Sequence, residues 1–156
     1  MKYVDAKVVF QEVPDEITLA ISISNCNIHC KGCHSQYLWN DVGVELTKES
    51  LDTLVRDHIG VTCVCFMGGE ENDVESLSDY IRQNYPNLKT AWYTGQEDVE
   101  YSALKTFDYI KVGPYKEECG GLDNPNTNQR MYKVINRETL EFNDITKTFY
   151  ETENKD

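Results

Sequence analysis

The sequence predicts an α/β domain in which mostly parallel strands form an open, partial βα barrel. Strand-like apolar runs alternate with helical segments between residues 17 and 112, and this alternation is typical of βαβ units that build a parallel sheet. Residues 61–67 form an apolar run of the kind that is buried on both faces of such a sheet. A complete eight-stranded barrel needs about 250 residues, so a chain of 156 residues can form only a partial barrel or a compact open sheet.

The individual elements follow from apolar periodicity and from capping signals. Thr47 is expected to cap a first helix that ends at Gly60, and Asp73 to cap a second helix that ends near Pro86. A third helical stretch is predicted at residues 98–107. We predict strands at residues 6–13, 17–23, 61–67, 89–94 and 108–112, and a closing hairpin at residues 131–142.

Length and composition indicate a single compact domain. The chain contains 40% hydrophobic and 27% charged residues, which is ordinary for a soluble globular protein. We expect one domain over residues 1–147 and a frayed tail over residues 148–156. The first residues show no apolar core of a signal peptide, and no apolar run reaches the length of a membrane span. Six cysteines without such a signal fit a reducing compartment, which predicts a cytoplasmic protein.

The charge balance argues against nucleic acid as a partner. The chain has 27 acidic and 15 basic residues and a formal net charge of −12. A phosphate backbone would be repelled by this balance. Most of these charges are explained by solubility.

Three cysteines follow the second predicted strand at the spacing C-x3-C-x2-C. They are Cys26, Cys30 and Cys33, and they lie on a loop at the carboxyl end of that strand, where open α/β folds place their sites. A 4Fe–4S cluster normally takes four cysteine ligands, so three would leave one iron open to another ligand. The alternative is a structural zinc site in which His29 or His34 supplies the fourth ligand.

A second motif, Gly68-Gly69-Glu70, follows the strand at residues 61–67. Two glycines after a strand allow the backbone to approach a ligand closely, and the carboxylate of Glu70 can hold an ammonium group. The motif alone is weak evidence for a ligand site. Its position one strand and one helix after the cysteine loop strengthens that evidence.

Together, the cysteine spacing and Gly68-Gly69-Glu70 resemble the radical S-adenosylmethionine enzymes. The resemblance implies that Cys26, Cys30 and Cys33 bind a 4Fe–4S cluster whose open iron is chelated by the cosubstrate S-adenosylmethionine. It also implies that Gly68, Gly69 and Glu70 hold the amino group of the cosubstrate. The remaining expected contacts to S-adenosylmethionine are made by Gly32, Cys33, His34 and Thr94.

Within this family, the chain is similar to the activating proteins of anaerobic ribonucleoside-triphosphate reductases. The similarity is carried by small size, by Gly32, and by the motifs Trp92-Tyr93-Thr94-Gly95, Gly113-Pro114-Tyr115 and Asn128-Gln129-Arg130. It implies reductive cleavage of S-adenosylmethionine to methionine and a 5′-deoxyadenosyl radical, which takes a hydrogen atom from a glycine of the reductase. The implied partners are that reductase and a low-potential electron donor such as flavodoxin.

Other functions remain open from the residues alone. A radical enzyme that acts on another peptide, and a zinc-binding interaction module without catalysis, are the two alternatives. Residues 117–130, which include Cys119, form a glycine- and asparagine-rich loop that either faces a partner protein or is merely solvated.

Overall fold

Eight strands and three helices make up the part of the chain that the computed structural model describes, which comprises residues 1–24 and 40–151. The strands are β1 (Lys2–Val9), β2 (Thr18–Ile23), β3 (Val44–Glu45), β4 (Cys63–Met67), β5 (Lys89–Tyr93), β6 (Tyr109–Val112), β7 (Arg130–Asn136) and β8 (Glu141–Asp144). The helices are α1 (Lys48–Asp57), α2 (Glu71–Asn84) and α3 (Tyr101–Thr106), and a 3₁₀ helix spans Thr146–Phe149.

The strands form one mixed sheet in the order β3-β1-β2-β4-β5-β6-β7-β8. Its centre, β2-β4-β5-β6, is parallel, while β1 and β3 on one side and β7 and β8 on the other pair antiparallel. Helices α1, α2 and α3 each precede one of the parallel strands β4, β5 and β6. The partial-barrel prediction concerns how far this sheet closes, and it stays a prediction.

All three helices pack on one face of the sheet. The apolar side chains of this face alternate along each strand with those of the opposite face, as the two-residue period of a strand requires. Trp92 lies at the centre, stacked on Phe107 with ring centroids 5.6 Å apart. This first core joins the strands to the helices through Leu51, Val74, Leu77, Ile81, Ala103 and Leu104.

The opposite face carries a second, smaller core. Cys63, Cys65 and Ala91 are fully buried there and pack against Val13, which lies in the connection between β1 and β2. The Tyr93 hydroxyl donates a hydrogen bond to the carbonyl of Glu12, so this connection is tied across the sheet. Cys63 and Cys65 therefore serve as small buried hydrophobic residues of this core.

A buried carboxylate joins the amino ends of several strands. Glu16 is 8% exposed, and it accepts hydrogen bonds from Thr62 Oγ1 at 2.7 Å and from Tyr109 Oη at 2.9 Å. The Lys89 ammonium nitrogen forms an ion pair with the same carboxylate, 3.0 Å from Glu16 Oε2. Because these partners neutralise and hydrogen-bond the carboxylate, its burial is tolerated.

Of the two helix N-caps predicted from the sequence, one is correct and one is wrong. Thr47 caps α1 in a capping box with Ser50, as expected. Asp73 does not cap α2: the helix begins at Glu71 with Glu70 as its N-cap, because the extended backbone of Glu70 follows directly on the two glycines. The prediction of Asp73 as the cap was therefore wrong by one turn.

Two strand boundaries also differ from the predictions. The first strand spans Lys2–Val9 rather than residues 6–13, because Gln11, Glu12 and Val13 bend across the sheet. The two-residue strand β3 was not predicted. The loop over residues 117–128 contains no helix and only a single bridge, between Lys116 and Gly120.

The 3₁₀ helix Thr146–Phe149 precedes residues 152–156, which lie outside the described residues. Among the described helices, none is both long enough and apolar enough to cross a bilayer.

Candidate functional site

The carboxyl ends of the four parallel strands meet at one edge of the sheet. Strand β2 ends there before Ser24, β4 before Gly68, β5 before Thr94 and β6 before Gly113. Parallel α/β sheets place ligands at this edge, because loops that follow neighbouring strands lie side by side there. The edge therefore brings the Gly68-Gly69-Glu70 motif next to Thr94 on one side and to the end of β2 on the other.

Gly68 and Gly69 both have a backbone that other residues rarely adopt. Their φ angles are 103° and 93°, in the region where a Cβ atom is strongly disfavoured. A Cβ on Gly69 would lie 2.7 Å from Val74 Cγ1 and 3.1 Å from Ile23 Cδ1. The glycine pair is therefore required by the fold, and it leaves the backbone of this turn without side chains.

The turn is held in place by two hydrogen bonds. The Gly68 amide donates to the Tyr93 carbonyl at 2.9 Å, and the Trp92 indole Nε1 donates to the Gly68 carbonyl at 2.9 Å. Trp92 is almost fully buried, so this bond anchors the turn to the first core. Sequence analysis had not assigned Trp92 this role, because its indole reaches Gly68 only through the pairing of β4 with β5.

Glu70 places a carboxylate at the rim of a cavity on this edge. The cavity has a volume of about 210 Å³, and its lining includes Ser24, Gly69, Glu70 and Asp73. Glu70 is exposed and lies at the N-terminus of α2. Such a carboxylate can pair with an ammonium group.

Further carboxylates surround the start of α2. The pKa of Glu71 is raised, chiefly by partial burial and then by the neighbouring charges of Glu75 and Glu100. The lining of the cavity itself is acidic on balance, since it contains four carboxylate residues against Lys2 and the amino terminus of Met1: Asp41, Glu45, Glu70 and Asp73.

Thr94 closes strand β5 at the same edge. Its side chain is nearly buried, its amide donates to the Lys111 carbonyl at 2.9 Å, and its hydroxyl oxygen accepts from the Gln96 amide at 3.2 Å. These contacts finish the strand and begin the following turn. A contact from Thr94 to a cosubstrate stays a prediction.

Lys111 is a feature that the sequence analysis missed. It is the only buried lysine or arginine in residues 1–24 and 40–151. Its ammonium donates to the Gly113 carbonyl at 2.9 Å and lies 3.4 Å from the Thr94 carbonyl. A single charged residue in the otherwise apolar strand β6 was the available signal. Its ammonium places a positive charge beside the end of β5.

The cysteine loop itself is not described. Cys26, Cys30, Cys33, Gly32 and His34 lie outside the described residues, so their predicted roles stay predictions. These residues follow β2 in the sequence. Ile23, the last residue of β2, lies beside Gly69, and Ser24 directly after it lines the same cavity as Gly69.

The described cysteines are poor candidates for a metal centre. Burial raises the pKa of both Cys63 and Cys65 well above that of a free thiol, and a metal ligand must be the thiolate. No group of three or more cysteine, histidine or acidic side chains that could hold a metal ion occurs within the described ranges. A cysteine-ligated cluster therefore requires cysteines from outside those ranges.

Comparison with known proteins identifies the family. The family model described as a 4Fe-4S single cluster domain matches residues 17–141, which is most of the chain. The chain thus belongs to the 4Fe–4S single cluster domain family and is an iron–sulfur protein. No curated protein and no solved structure matched the chain.

Proposed function

We propose that this protein is a radical S-adenosylmethionine enzyme that generates a glycyl radical on an anaerobic ribonucleoside-triphosphate reductase. The observation that carries the proposal is the turn Gly68-Gly69-Glu70 at the carboxyl end of β4, beside the strand whose loop contains Cys26, Cys30 and Cys33. Packing alone explains the two glycines, so the weight rests on the exposed carboxylate of Glu70 at the cavity beside the end of β2, which an iron–sulfur protein that only transferred electrons would not need.

The cluster ligands in this proposal are Cys26, Cys30 and Cys33. They are the three cysteines of the matched region that follow β2 directly. A 4Fe–4S cluster held by these cysteines would, with a low-potential electron donor, supply the one-electron reduction that cleaves S-adenosylmethionine to methionine and a 5′-deoxyadenosyl radical. The chain's own residues bind and orient the cosubstrate and exclude water.

The glycine turn holds the amino group of the cosubstrate. Gly68 and Gly69 expose backbone without side chains, and Glu70 supplies the opposite charge. Asp73, in the first turn of α2, lines the same cavity and adds a further carboxylate to it. Gly32 and His34, which flank the third cysteine in the sequence, would hold the adenine in this proposal, and Thr94 would hold the cosubstrate from the end of β5.

The target glycine belongs to the partner reductase. The radical takes a hydrogen atom from its α-carbon, which yields 5′-deoxyadenosine and leaves the unpaired electron on the glycine. The proposal places the loop over residues 117–130 against that partner, because this loop starts from the same edge of the sheet.

The test is to mix the reconstituted protein with the reductase, S-adenosylmethionine and a reductant under anaerobic conditions. We expect 5′-deoxyadenosine to form together with a glycyl radical signal on the reductase. Glu70→Gln removes the charge and keeps the size of the side chain, so it should weaken binding of S-adenosylmethionine by about tenfold or more. Formation of 5′-deoxyadenosine without any glycyl radical would leave a radical enzyme with a different substrate.

A further inference from the structure

We propose that a groove on the sheet face opposite the helices docks a segment of the partner protein in which an apolar side chain stands next to a lysine or arginine. The groove has a volume of about 370 Å³, and its lining includes Phe10, Pro14, Asp15, Asp123 and Phe149. We call it the hairpin groove, after the antiparallel β1–β2 pair whose connecting segment lines it. The inference rests on the proposed function in one respect, since it takes the reductase as the partner.

Three separate segments build the hairpin groove. Phe10, Pro14 and Asp15 come from the connection between β1 and β2, Asp123 from the loop after β6, and Phe149 from the 3₁₀ helix. The first segment is fixed by the Tyr93 hydrogen bond to Glu12 and by the buried side chain of Val13. Phe149 packs on the second core. The groove is thus preformed on a rigid base, which lowers the cost of binding.

The apolar part of the groove is exposed to solvent. Phe10 has 69% of its surface exposed although it is a large aromatic residue. Phe149 and Pro14 extend this apolar surface within the same groove. One exposed aromatic ring thus continues into the partly buried surface of Phe149 and Pro14, and contiguous exposed apolar surface marks interaction sites. Aromatic residues dominate the binding energy of many interfaces.

The charge of the groove selects the occupant. Asp15 and Asp123 are exposed, and neither lysine nor arginine occurs in the lining. The chain as a whole carries a net charge of −12. Charge complementarity at interfaces favours partners of opposite sign and penalises those of like sign. The occupant is therefore a basic segment with an apolar side chain for Phe10 and Phe149.

The groove is connected to the candidate site through the chain. The loop that contributes Asp123 begins at Gly113, at the carboxyl edge of the parallel strands. Met67 and Tyr93, the last residues of β4 and β5, pack in the same second core as Phe149. A partner docked in the groove thus rests on the elements that end at the site, which suits a protein whose glycine must reach it.

The test compares two double variants with the same change in net charge. Asp15→Lys with Asp123→Lys reverses the charge of the hairpin groove. Glu49→Lys with Asp57→Lys makes an equal change at exposed positions of α1, on the helical side of the sheet. Binding of each cluster-loaded protein to the purified reductase is measured at low salt and at high salt.

We expect the groove variant to bind the reductase at least about tenfold more weakly than the wild-type protein at low salt, with a smaller loss at high salt. The α1 variant should bind like the wild type. Phe10→Ala should also weaken binding, and this substitution removes no buried side chain, so the folded protein should be retained. Equal binding by the wild type, the groove variant and Phe10→Ala would overturn the proposal.

A second readout separates this inference from the proposed function. Formation of 5′-deoxyadenosine from S-adenosylmethionine without the reductase should be the same in both double variants and in the wild type. Wild-type protein that binds the reductase and forms the glycyl radical, while the groove variant and Phe10→Ala bind the reductase equally well, would overturn the groove assignment alone. Wild-type protein that does not cleave S-adenosylmethionine at all would overturn the proposed function.

Discussion

At the scale of single residues, the cysteines separate by environment. Cys63 and Cys65 are fully buried in the second core, where the cost of desolvating a thiolate raises the pKa of each thiol. Cys119 lies partly exposed in the loop after β6. The proposed ligands Cys26, Cys30 and Cys33 follow β2 at the edge where parallel sheets bind ligands.

This difference predicts the result of single cysteine substitutions. Alanine at position 26, 30 or 33 should remove most of the iron and sulfide that the reconstituted wild-type protein holds, because each cysteine would be a ligand. Alanine at position 63, 65 or 119 should leave the iron and sulfide content unchanged. The content is measured by colorimetric assay after anaerobic reconstitution. Loss of iron in the Cys63→Ala or Cys65→Ala variants with retention in Cys26→Ala would contradict the assignment.

Gly69 and Gly60 allow the packing of the glycine turn to be tested. Both have a positive φ, 93° and 99°, so alanine is strained at either position. A Cβ at Gly60 meets nothing within 4 Å, whereas at Gly69 it lies 2.7 Å from Val74 Cγ1. Gly60→Ala should cost about 1 to 2 kcal/mol from the backbone alone. Gly69→Ala should cost about 1 to 3 kcal/mol more, because the neighbours are overpacked.

The measurement is the free energy of unfolding of both variants and the wild type in denaturant. Gly60→Ala serves as the control for the backbone contribution. If the two variants were equally stable, the close packing around Gly69 would not constrain the turn.

At the scale of elements, α1 and α2 are joined by one carboxylate. Asp52 on α1 accepts hydrogen bonds from the hydroxyls of Tyr80 at 2.8 Å and Tyr85 at 2.6 Å. These two hydrogen bonds lower the pKa of Asp52, and the bond from Tyr85 has the larger effect. In return they raise the pKa of Tyr80, and that of Tyr85 to about 12. The contact thus stabilises the fold while Asp52 is ionised and both tyrosines are neutral.

The pH dependence of this contact follows from the lowered pKa of Asp52 and the raised pKa of Tyr85. Since the pKa of Asp52 is lowered by folding, its contribution is present above the ordinary aspartate pKa of about 3.9 and is lost as the pH falls below it. Since the pKa of Tyr85 is raised, its contribution is present below the ordinary tyrosine pKa of about 10 and is lost as the pH rises toward 12.

Asp52→Ala is therefore expected to lower the free energy of unfolding by a constant amount between about pH 5 and pH 9. The difference from the wild type should shrink as the pH rises above about 10. Denaturant unfolding of both proteins across this range is the measurement, and Asp57→Ala, an exposed change on the same helix, is the control. A difference as large at pH 11.5 as at pH 7 would show that the tyrosines do not act through Asp52.

At the scale of the whole molecule, short-range patterns predicted the central strands well. Residues 61–67 contain β4, which is apolar over its full length as a strand buried on both faces should be. Residues 89–94 contain β5, whose signal is the run Ala91-Trp92-Tyr93 after an exposed lysine. The start of β1 was missed because its pairing is interrupted by an irregularity between Tyr3 and Asp5, which breaks the alternation of side chains.

Features formed by distant residues could not be predicted in this way. The tie between Glu12 and Tyr93 joins residues 81 positions apart. Phe10 and Phe149 line the same groove although they come from different elements of the chain. The position of Gly68-Gly69-Glu70 at a strand end was predictable, whereas the anchoring of this turn by Trp92 depends on the pairing of β4 with β5.

Electron paramagnetic resonance of the anaerobically reconstituted and reduced protein, with and without S-adenosylmethionine, tests the central claim most directly. Our account predicts a signal of a reduced 4Fe–4S cluster whose shape changes when S-adenosylmethionine is added, because the cosubstrate binds the open iron. Glu70→Gln should require more S-adenosylmethionine to produce the same change. A cluster signal that is unaffected by saturating S-adenosylmethionine would contradict the proposed radical chemistry and leave an iron–sulfur protein of another function.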